Sequence, residues 1–198
     1  MLFLIVAVPS IILHEVAHGV AALWFGDDTA KRAGRITLNP ISHIDPFGTI
    51  LLPALMAALG GGVLGFAKPV PINPSRMRHP RSDALWVALA GPATNVMLAV
   101  LAAVALRTWS PADGGTTAVK LLVYLGIANA LLAVFNLLPI PPLDGSAIVS
   151  RFLPRSLQPG WAKVQQYGFA ILLAVVFLLP RLLQPLFDRA IDLWYRRL

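Results

Sequence analysis

The sequence predicts an all-α polytopic membrane protein with about four transmembrane helices. Hydrophobic residues make up 57% of its 198 residues and charged residues only 13%, whereas soluble domains carry about 25% charged residues. Mean hydropathy is +0.73. About 20 consecutive apolar residues span a bilayer as a helix, and stretches of that order recur along the chain. The four predicted spans are residues 3–25, 84–106, 117–138 and 164–180.

A fifth apolar run, from Phe47 to Phe66, differs from the predicted spans because it is interrupted. Pro53 and the triplet Gly60 to Gly62 weaken a continuous helix, which predicts a broken or re-entrant segment. If the run returns to the face from which it enters, the basic clusters on either side of it share one face, as the positive-inside rule favours. This arrangement predicts an N-terminus on the outer face and four crossings.

The connection after the first span is predicted to contain a small β-hairpin-like element. Residues 35–38 (RITL) are β-prone, and the turn dipeptides Asn39-Pro40 and Asp45-Pro46 follow them. The sequence has no internal repeat, low-complexity tract or long hydrophilic stretch. Residues 1–198 are therefore predicted to form a single integral-membrane domain.

The charge pattern points to a membrane rather than to nucleic acid. The formal net charge is +7, but the basic residues stand in short clusters between apolar runs, where they orient a membrane protein. The lipid bilayer is thus the predicted partner, and no nucleic acid is expected. Because the chain has no cysteine, a bound metal would have to be held by His, Asp or Glu.

The first predicted span contains His14-Glu15-Val16-Ala17-His18, an H-E-x-x-H motif. On a helix, side chains four residues apart lie on one face, so the two imidazoles can bind one ion. Glu15 is adjacent to that face and can act as a general base without occupying the metal. A plain anchor helix is the competing interpretation, but a carboxylate between two histidines is costly in hydrocarbon unless it is used.

Catalytic zinc usually has three protein ligands and one open position, so a further ligand is expected elsewhere in the chain. Asp144 stands out because the proline-rich segment 136–145 (NLLPIPPLDG) directly follows an apolar span and holds extended backbone at membrane depth. The competing interpretation of Asp144 is an ordinary Asp-Gly turn. The full set of candidates is His43, Asp45, His79, Asp83 and Asp144.

Asn95 lies within a further motif, Gly91-Pro-Ala-Thr-Asn95, in the predicted span 84–106. An amide without partners is costly in hydrocarbon, so Asn95 is expected to face the interior. Two roles stay open: a hydrogen bond between helices, or a catalytic role as donor to the developing oxyanion. Asn129 and Asn136 are predicted to act as packing contacts.

Together, the motifs resemble those of the site-2 protease family over nearly the whole chain. They are HEVAHG, NPISHIDPFGT, AKPVPINP, ALAGPATN and FNLLPIPPLDG. The resemblance is closest to short bacterial and archaeal members without PDZ or CBS domains. It implies that His14, His18 and Asp144 bind one Zn²⁺ per chain, that Glu15 is the catalytic base, and that Asn95 belongs to the active site.

The activity implied by this resemblance is that of an intramembrane zinc metalloendopeptidase. Such an enzyme hydrolyses peptide bonds in transmembrane segments of protein substrates, in regulated intramembrane proteolysis. The expected location is the cell membrane of a bacterium or archaeon, with several crossings. Because the substrate must unwind, the segments 29–50 and 47–66 are candidate edges for pairing with it.

Two alternatives belong to other functional classes. Histidine and aspartate within a membrane also mark ion pathways, so a metal transporter is one alternative, although the repeated halves typical of transporters are missing. The other alternative is a non-catalytic protein of the same fold that binds membrane helices. A base at the position of Glu15 argues against that role.

Overall fold

The computed structural model describes residues 2–51, 54, 67–109 and 116–196. These residues are mainly helical and contain no strand, which confirms the predicted all-α class. The α-helices are α1 (Leu2–Trp24), α2 (Thr29–Arg32), α3 (Pro80–Thr108), α4 (Thr117–Asn136), α5 (Gly145–Phe152), α6 (Gln158–Gln166), α7 (Gly168–Leu178) and α8 (Pro180–Tyr195). Shorter turns are 3-10 helical at Pro40–His43, Pro74–Arg76 and Arg155–Leu157, and π-helical at Pro46–Leu51.

Three of the helices, α1, α3 and α4, form a bundle and are long and apolar enough to cross a membrane. Their mutual contacts are made largely by small side chains, which allow membrane helices to approach closely. Large apolar side chains cover the outer faces, as expected for surfaces that meet lipid. Buried small residues include Ala22, Ala99, Ala102, Ala128 and Ala133, and exposed apolar residues include Leu4, Ile5, Val100 and Leu101.

The predicted fourth span, residues 164–180, is not one continuous helix of membrane length. Helix α7 has only 11 residues, and it is bent by 66° from the helical segment before it. It ends at Leu178 because the residue before a proline disfavours the α conformation, and Pro180 follows Leu179. The bent pair would count as a fourth crossing only if both parts were taken together.

The predicted β-hairpin-like element is also not supported. Residues 35–38 contain bends rather than a strand, and two of their polar groups bond to residues outside the segment. The Arg35 guanidinium donates to the Lys68 carbonyl, and the His43 ring donates to the Thr37 carbonyl (2.8 Å). Most of the predicted broken run 47–66, including Pro53, lies outside the described residues, and the predicted orientation stays a prediction.

An extended segment, residues 67–73, runs beside the second half of α1 and is fixed at several points. The Lys68 N–H donates to the His43 carbonyl (2.9 Å), and the Asn73 N–H donates to the Asp27 carboxylate (2.6 Å). Burial alone would raise the pKa of Asp27, but hydrogen bonds from Thr29 and Asn73 outweigh it and lower that pKa. The ionised carboxylate thus holds the segment against the end of α1.

The C-terminal helix α8 is amphipathic and docks onto the bundle through Trp194. The Trp194 indole donates to the Ala99 carbonyl of α3 (3.0 Å), and its ring lies where a Cβ at Gly126 of α4 would stand, 1.9 Å from Cζ2. Gly126 therefore leaves the space that the indole fills.

We expect Trp194→Ala to lower the free energy of unfolding by about 3 kcal/mol, because it opens a cavity and removes the indole hydrogen bond to the Ala99 carbonyl. Leu193→Ala is the matched control, since Leu193 is exposed on the same helix, and it should change stability by less than about 0.5 kcal/mol. Reversible denaturation in detergent micelles would measure both, and equal losses would contradict the docking.

Candidate metal centre

Helix α1 brings His14 and His18 together near its middle. Four residues separate them, so both imidazoles lie on one face, and both are buried. Their Nε2 atoms are 3.0 Å apart. The H-E-x-x-H spacing therefore produces the paired nitrogens that it predicted.

Asp144 completes the cluster from the turn between α4 and α5. Its Oδ2 lies 3.1 Å from His14 Nε2, and its Oδ1 lies 3.3 Å from His18 Nε2. Gly145 makes this turn possible, because a Cβ there would stand 2.3 Å from the Leu137 and Leu138 carbonyl oxygens. The Asp-Gly pair thus folds the chain tightly back onto the end of α4 and directs the carboxylate toward the two histidines.

The opposite nitrogen of each ring faces a hydrogen-bond acceptor. His14 Nδ1 lies 2.6 Å from Asn95 Oδ1, and His18 Nδ1 lies 2.7 Å from the Val87 carbonyl oxygen. A carbonyl can only accept, so His18 carries its proton on Nδ1. Such contacts fix the tautomer of metal-binding histidines and leave Nε2 with a lone pair.

For His14, the tautomer follows from a chain of hydrogen bonds that begins at the backbone of α4. The Asn129 amide nitrogen donates to the Leu125 carbonyl (2.8 Å) and to Ser10 Oγ (2.8 Å), so Asn129 Oδ1 is left as an acceptor. That oxygen accepts from Asn95 Nδ2 (2.8 Å), which turns Asn95 Oδ1 toward His14. His14 therefore also carries its proton on Nδ1.

When both rings are neutral and carry their proton on Nδ1, the centre contains only acceptors. Two Nε2 lone pairs and the Asp144 carboxylate converge without a donor between them, and the buried Oδ2 has no hydrogen-bond partner. The ligand atoms of the three residues lie within 4.8 Å of one another. Ligand atoms about 2.1 Å from one tetrahedral ion would be about 3.4 Å apart, close to the distances found. A divalent cation fits this set, and His₂Asp suits zinc.

Gly91 of α3 forms the back wall of the centre. A Cβ at this position would stand 2.4 Å from His18 Nε2 and 2.6 Å from His14 Nε2. Any side chain there would occupy the space that the converging nitrogens need.

Glu15 lies beside the metal cluster without joining it. Its Oε2 accepts a hydrogen bond from the Val70 N–H (2.9 Å), so the extended segment 67–73 holds the carboxylate in place. Glu15 also lines the cavity that contains His14, His18 and Asp144. A carboxylate there can exchange a proton with a water at the cluster.

The structure places the other candidate ligands away from the cluster. The His43 ring donates to the Thr37 carbonyl, and Asp45 accepts from the Gly48 N–H. Asp83 accepts from the His79 N–H at the start of α3, and the His79 ring is exposed. Among the described residues, only His14, His18 and Asp144 form a metal-binding group.

Several supporting residues were missed by sequence reasoning. Gly91 and Asn129 act through close approach and a hydrogen-bond chain between helices, and Val70 acts through its backbone N–H. Asn129, predicted as a packing contact, also orients Asn95. Burial within an apolar span was the one signal available for Asn129, and it does not identify the partner.

The chain is similar in sequence to known proteins over most of its length. The model of "Peptidase family M50" matches residues 2–111 and 112–179. A Bacillus subtilis relative is 38% identical over 182 residues, covering 89% of this chain and 80% of its own. Relatives from Mycolicibacterium smegmatis (35% over 168 residues; 84% and 63%) and Mycobacterium tuberculosis H37Rv (36% over 175 residues; 87% and 65%) are covered over slightly less than two thirds of their own length.

All three relatives are named "Putative zinc metalloprotease", followed by YwhC for the Bacillus protein and Rip2 for the mycobacterial ones. No solved structure matches the chain.

Gly91→Ala should weaken zinc binding by about 10- to 100-fold, because the new methyl group would displace both Nε2 atoms. Gly160→Ala is the matched control, since nothing lies within 4 Å of a Cβ at Gly160. Zinc affinity would be measured by competition with a chromophoric chelator in detergent. Unchanged affinity in Gly91→Ala would contradict the described back wall.

Asn129→Leu should also weaken zinc binding by about 10- to 100-fold, although Asn129 does not touch the cluster. Without its acceptor, the Asn95 amide can turn its nitrogen toward His14, which favours the tautomer with a protonated Nε2. Thr94→Val is the control, because the Thr94 hydroxyl bonds within its own helix, to the Ala90 carbonyl. If both variants bound zinc equally well, the hydrogen-bond chain would not set the tautomer.

Proposed function

Since this chain belongs to peptidase family M50, the site-2 protease family, we propose that it is an intramembrane zinc metalloendopeptidase. It would hydrolyse peptide bonds in transmembrane segments of other membrane proteins, in regulated intramembrane proteolysis. The family and the names of its relatives support a metalloprotease, and the three apolar helices found among the described residues support a membrane protein. Substrate class and biological role are part of the proposal.

The position of the metal cluster along α1 carries this proposal. His14 stands 10 residues before Trp24, the residue at which α1 ends. At about 1.5 Å per residue, this separation is about 15 Å, half the thickness of a typical hydrocarbon core. In a hydrocarbon core about 30 Å thick, the cluster would lie near the centre of the membrane, where only a membrane-embedded peptide could meet it.

Each residue of the site has its own role in the proposed reaction. His14, His18 and Asp144 would hold one Zn²⁺ per chain, which when bound polarises a carbonyl and makes water more acidic. Glu15 removes a proton from the attacking water and later delivers it to the leaving amine. Asn95 supports His14 through its Oδ1, and its further contribution to catalysis stays a prediction.

Partners and location follow from the same reasoning. A protease site at this depth requires a transmembrane substrate and a surrounding lipid bilayer, and three helices of membrane length support a multi-pass protein in the cell membrane. The substrate helix must unwind locally, because helical carbonyls are already hydrogen-bonded.

Glu15→Gln should abolish cleavage and leave the zinc content unchanged. Glutamine cannot accept the proton, but its side-chain oxygen can still accept from the Val70 N–H. Asp144→Ala should lower the zinc content, because it removes one of the three ligands. Cleavage of a panel of single-span peptides by purified protein would be measured beside bound zinc in the wild type and both variants.

Three outcomes would contradict the proposal. Cleavage that survives Glu15→Gln would remove the assigned base, and full zinc in Asp144→Ala would remove the assigned ligand. Zinc flux through proteoliposomes that survives Glu15→Gln, without cleavage by the wild type, would favour a transporter.

A further inference from the structure

Two cavities meet at the catalytic centre. The first, which we call the metal cavity, has a volume of about 330 Å³ and is lined by all three metal-binding residues and Glu15. The second, which we call the apolar cavity, has a volume of about 250 Å³. They share six lining residues: His14, Glu15, Pro69, Asn136, Pro142 and Leu143. The two cavities are therefore neighbours across the catalytic base.

The walls of the apolar cavity come from three different helices. Beyond the shared residues, the lining consists of apolar side chains. They are Ile11 of α1, Leu132 and Phe135 of α4, and Phe169, Leu172 and Leu173 of α7, joined by Ala67 of the extended segment. A charged group placed among these apolar side chains would lose its solvation.

The cavities are stacked along α1. Ile11, His14 and Glu15 line the apolar cavity, whereas His14, Glu15 and His18 line the metal cavity. One turn of the helix is about 5.4 Å, and an extended peptide advances about 3.3 Å per residue. A substrate whose scissile bond lies at the metal cluster thus places a residue one or two positions away beside the apolar cavity.

We propose that the apolar cavity is a specificity pocket that binds a bulky apolar side chain of the substrate, within two residues of the scissile bond. This inference rests on the proposed protease function and names the substrate feature that the site selects. Leu, Ile, Met and Phe, which are abundant in transmembrane segments, have the required chemistry. Binding such a side chain would also hold the unwound peptide in register with Glu15.

Selectivity in this pocket would depend on shape complementarity rather than on transfer of the substrate side chain out of water. A substrate side chain in lipid is already in an apolar environment, so its transfer gains mainly van der Waals contacts. Small differences in side-chain volume in an apolar pocket change kcat/KM by about 10- to 200-fold. We therefore expect a preference of about tenfold for Leu or Phe over Ala at one substrate position, and strong rejection of Asp.

The first test varies both the size of the pocket and the size of the substrate side chain. Leu132→Phe fills the cavity and should lower kcat/KM at least about tenfold more for a peptide with Phe at the selected position than for the matched Ala peptide. Leu172→Ala enlarges the cavity and should increase the preference for Phe over Ala. Leu178→Phe is the control, because Leu178 is exposed on α7, and its preference should match the wild type.

A second test measures binding without cleavage. Because the chain has no cysteine, Leu173→Cys in the Glu15→Gln background places a single thiol in the cavity wall. A Leu- or Phe-containing single-span peptide should slow alkylation of that thiol at least about fivefold, because a bound side chain excludes the reagent, whereas the matched Asp peptide should not. Leu178→Cys in the same background should be alkylated at one rate with either peptide.

The outcomes separate this inference from the proposed function. A wild type that cuts peptides without side-chain preference, or a preference that Leu132→Phe and Leu172→Ala leave unchanged, would overturn the pocket alone. If the wild type cuts nothing, the proposed function fails, and the alkylation test still decides whether the cavity takes an apolar side chain. Equal protection of the introduced thiol by lipid or detergent without peptide would assign the cavity to an acyl chain and overturn the inference.

Discussion

The arrangement of the metal centre depends on where two buried imidazole protons are held. Both Nδ1 atoms face oxygens, Asn95 Oδ1 for His14 and the Val87 carbonyl for His18. Only this tautomer leaves two Nε2 lone pairs beside the Asp144 carboxylate, an arrangement that is repulsive in a low-dielectric interior until a cation joins it. The helix contacts that align these acceptors are thus also what makes the site selective for a positive ion.

That constraint explains why three membrane helices must pack so closely. Helix α1 supplies the nitrogens, α3 supplies Asn95 and the Val87 carbonyl, and α4 fixes Asn95 through Asn129. Bonds of 2.6 to 2.8 Å between side chains on different helices require backbones that are close together, and small residues such as Gly91 permit it. In lipid, where apolar side chains gain little by leaving their surroundings, such packing and hydrogen bonding are the main terms that hold helices together.

The sequence predicts the parts of this protein that depend on local pattern. The length of apolar runs predicted four spans, and three of them are single helices of membrane length. The four-residue spacing of His14 and His18 predicted their shared face. Asp144 could be singled out because a proline-rich segment directly follows an apolar span and leads to this residue, although a turn at Asp144-Gly145 is the competing interpretation. The bend between α6 and α7, the clearance at Gly91 and the partners of Asn129 depend on contacts between elements distant in sequence. Such contacts leave no periodic pattern in the sequence. The β propensity of residues 35–38 predicted a strand wrongly for the same reason, because strand formation depends on contacts with other parts of the chain.

The residues that hold the catalytic base in place are not the residues that orient the metal-binding histidines. Glu15 accepts from the Val70 N–H. The backbone of the segment that carries Val70 is held by the Asp27 carboxylate, the Arg35 guanidinium and the His43 carbonyl. None of these contacts involves α3 or α4, which orient the metal-binding histidines. Two separate sets of hydrogen bonds therefore act on one turn of α1. One set orients the Nε2 lone pairs of the histidines toward the metal site, and the other holds the Glu15 carboxylate beside that site. The adjacency of Glu15 to His14 brings the two together, and an extended part of the described chain thereby positions the group that must move a proton.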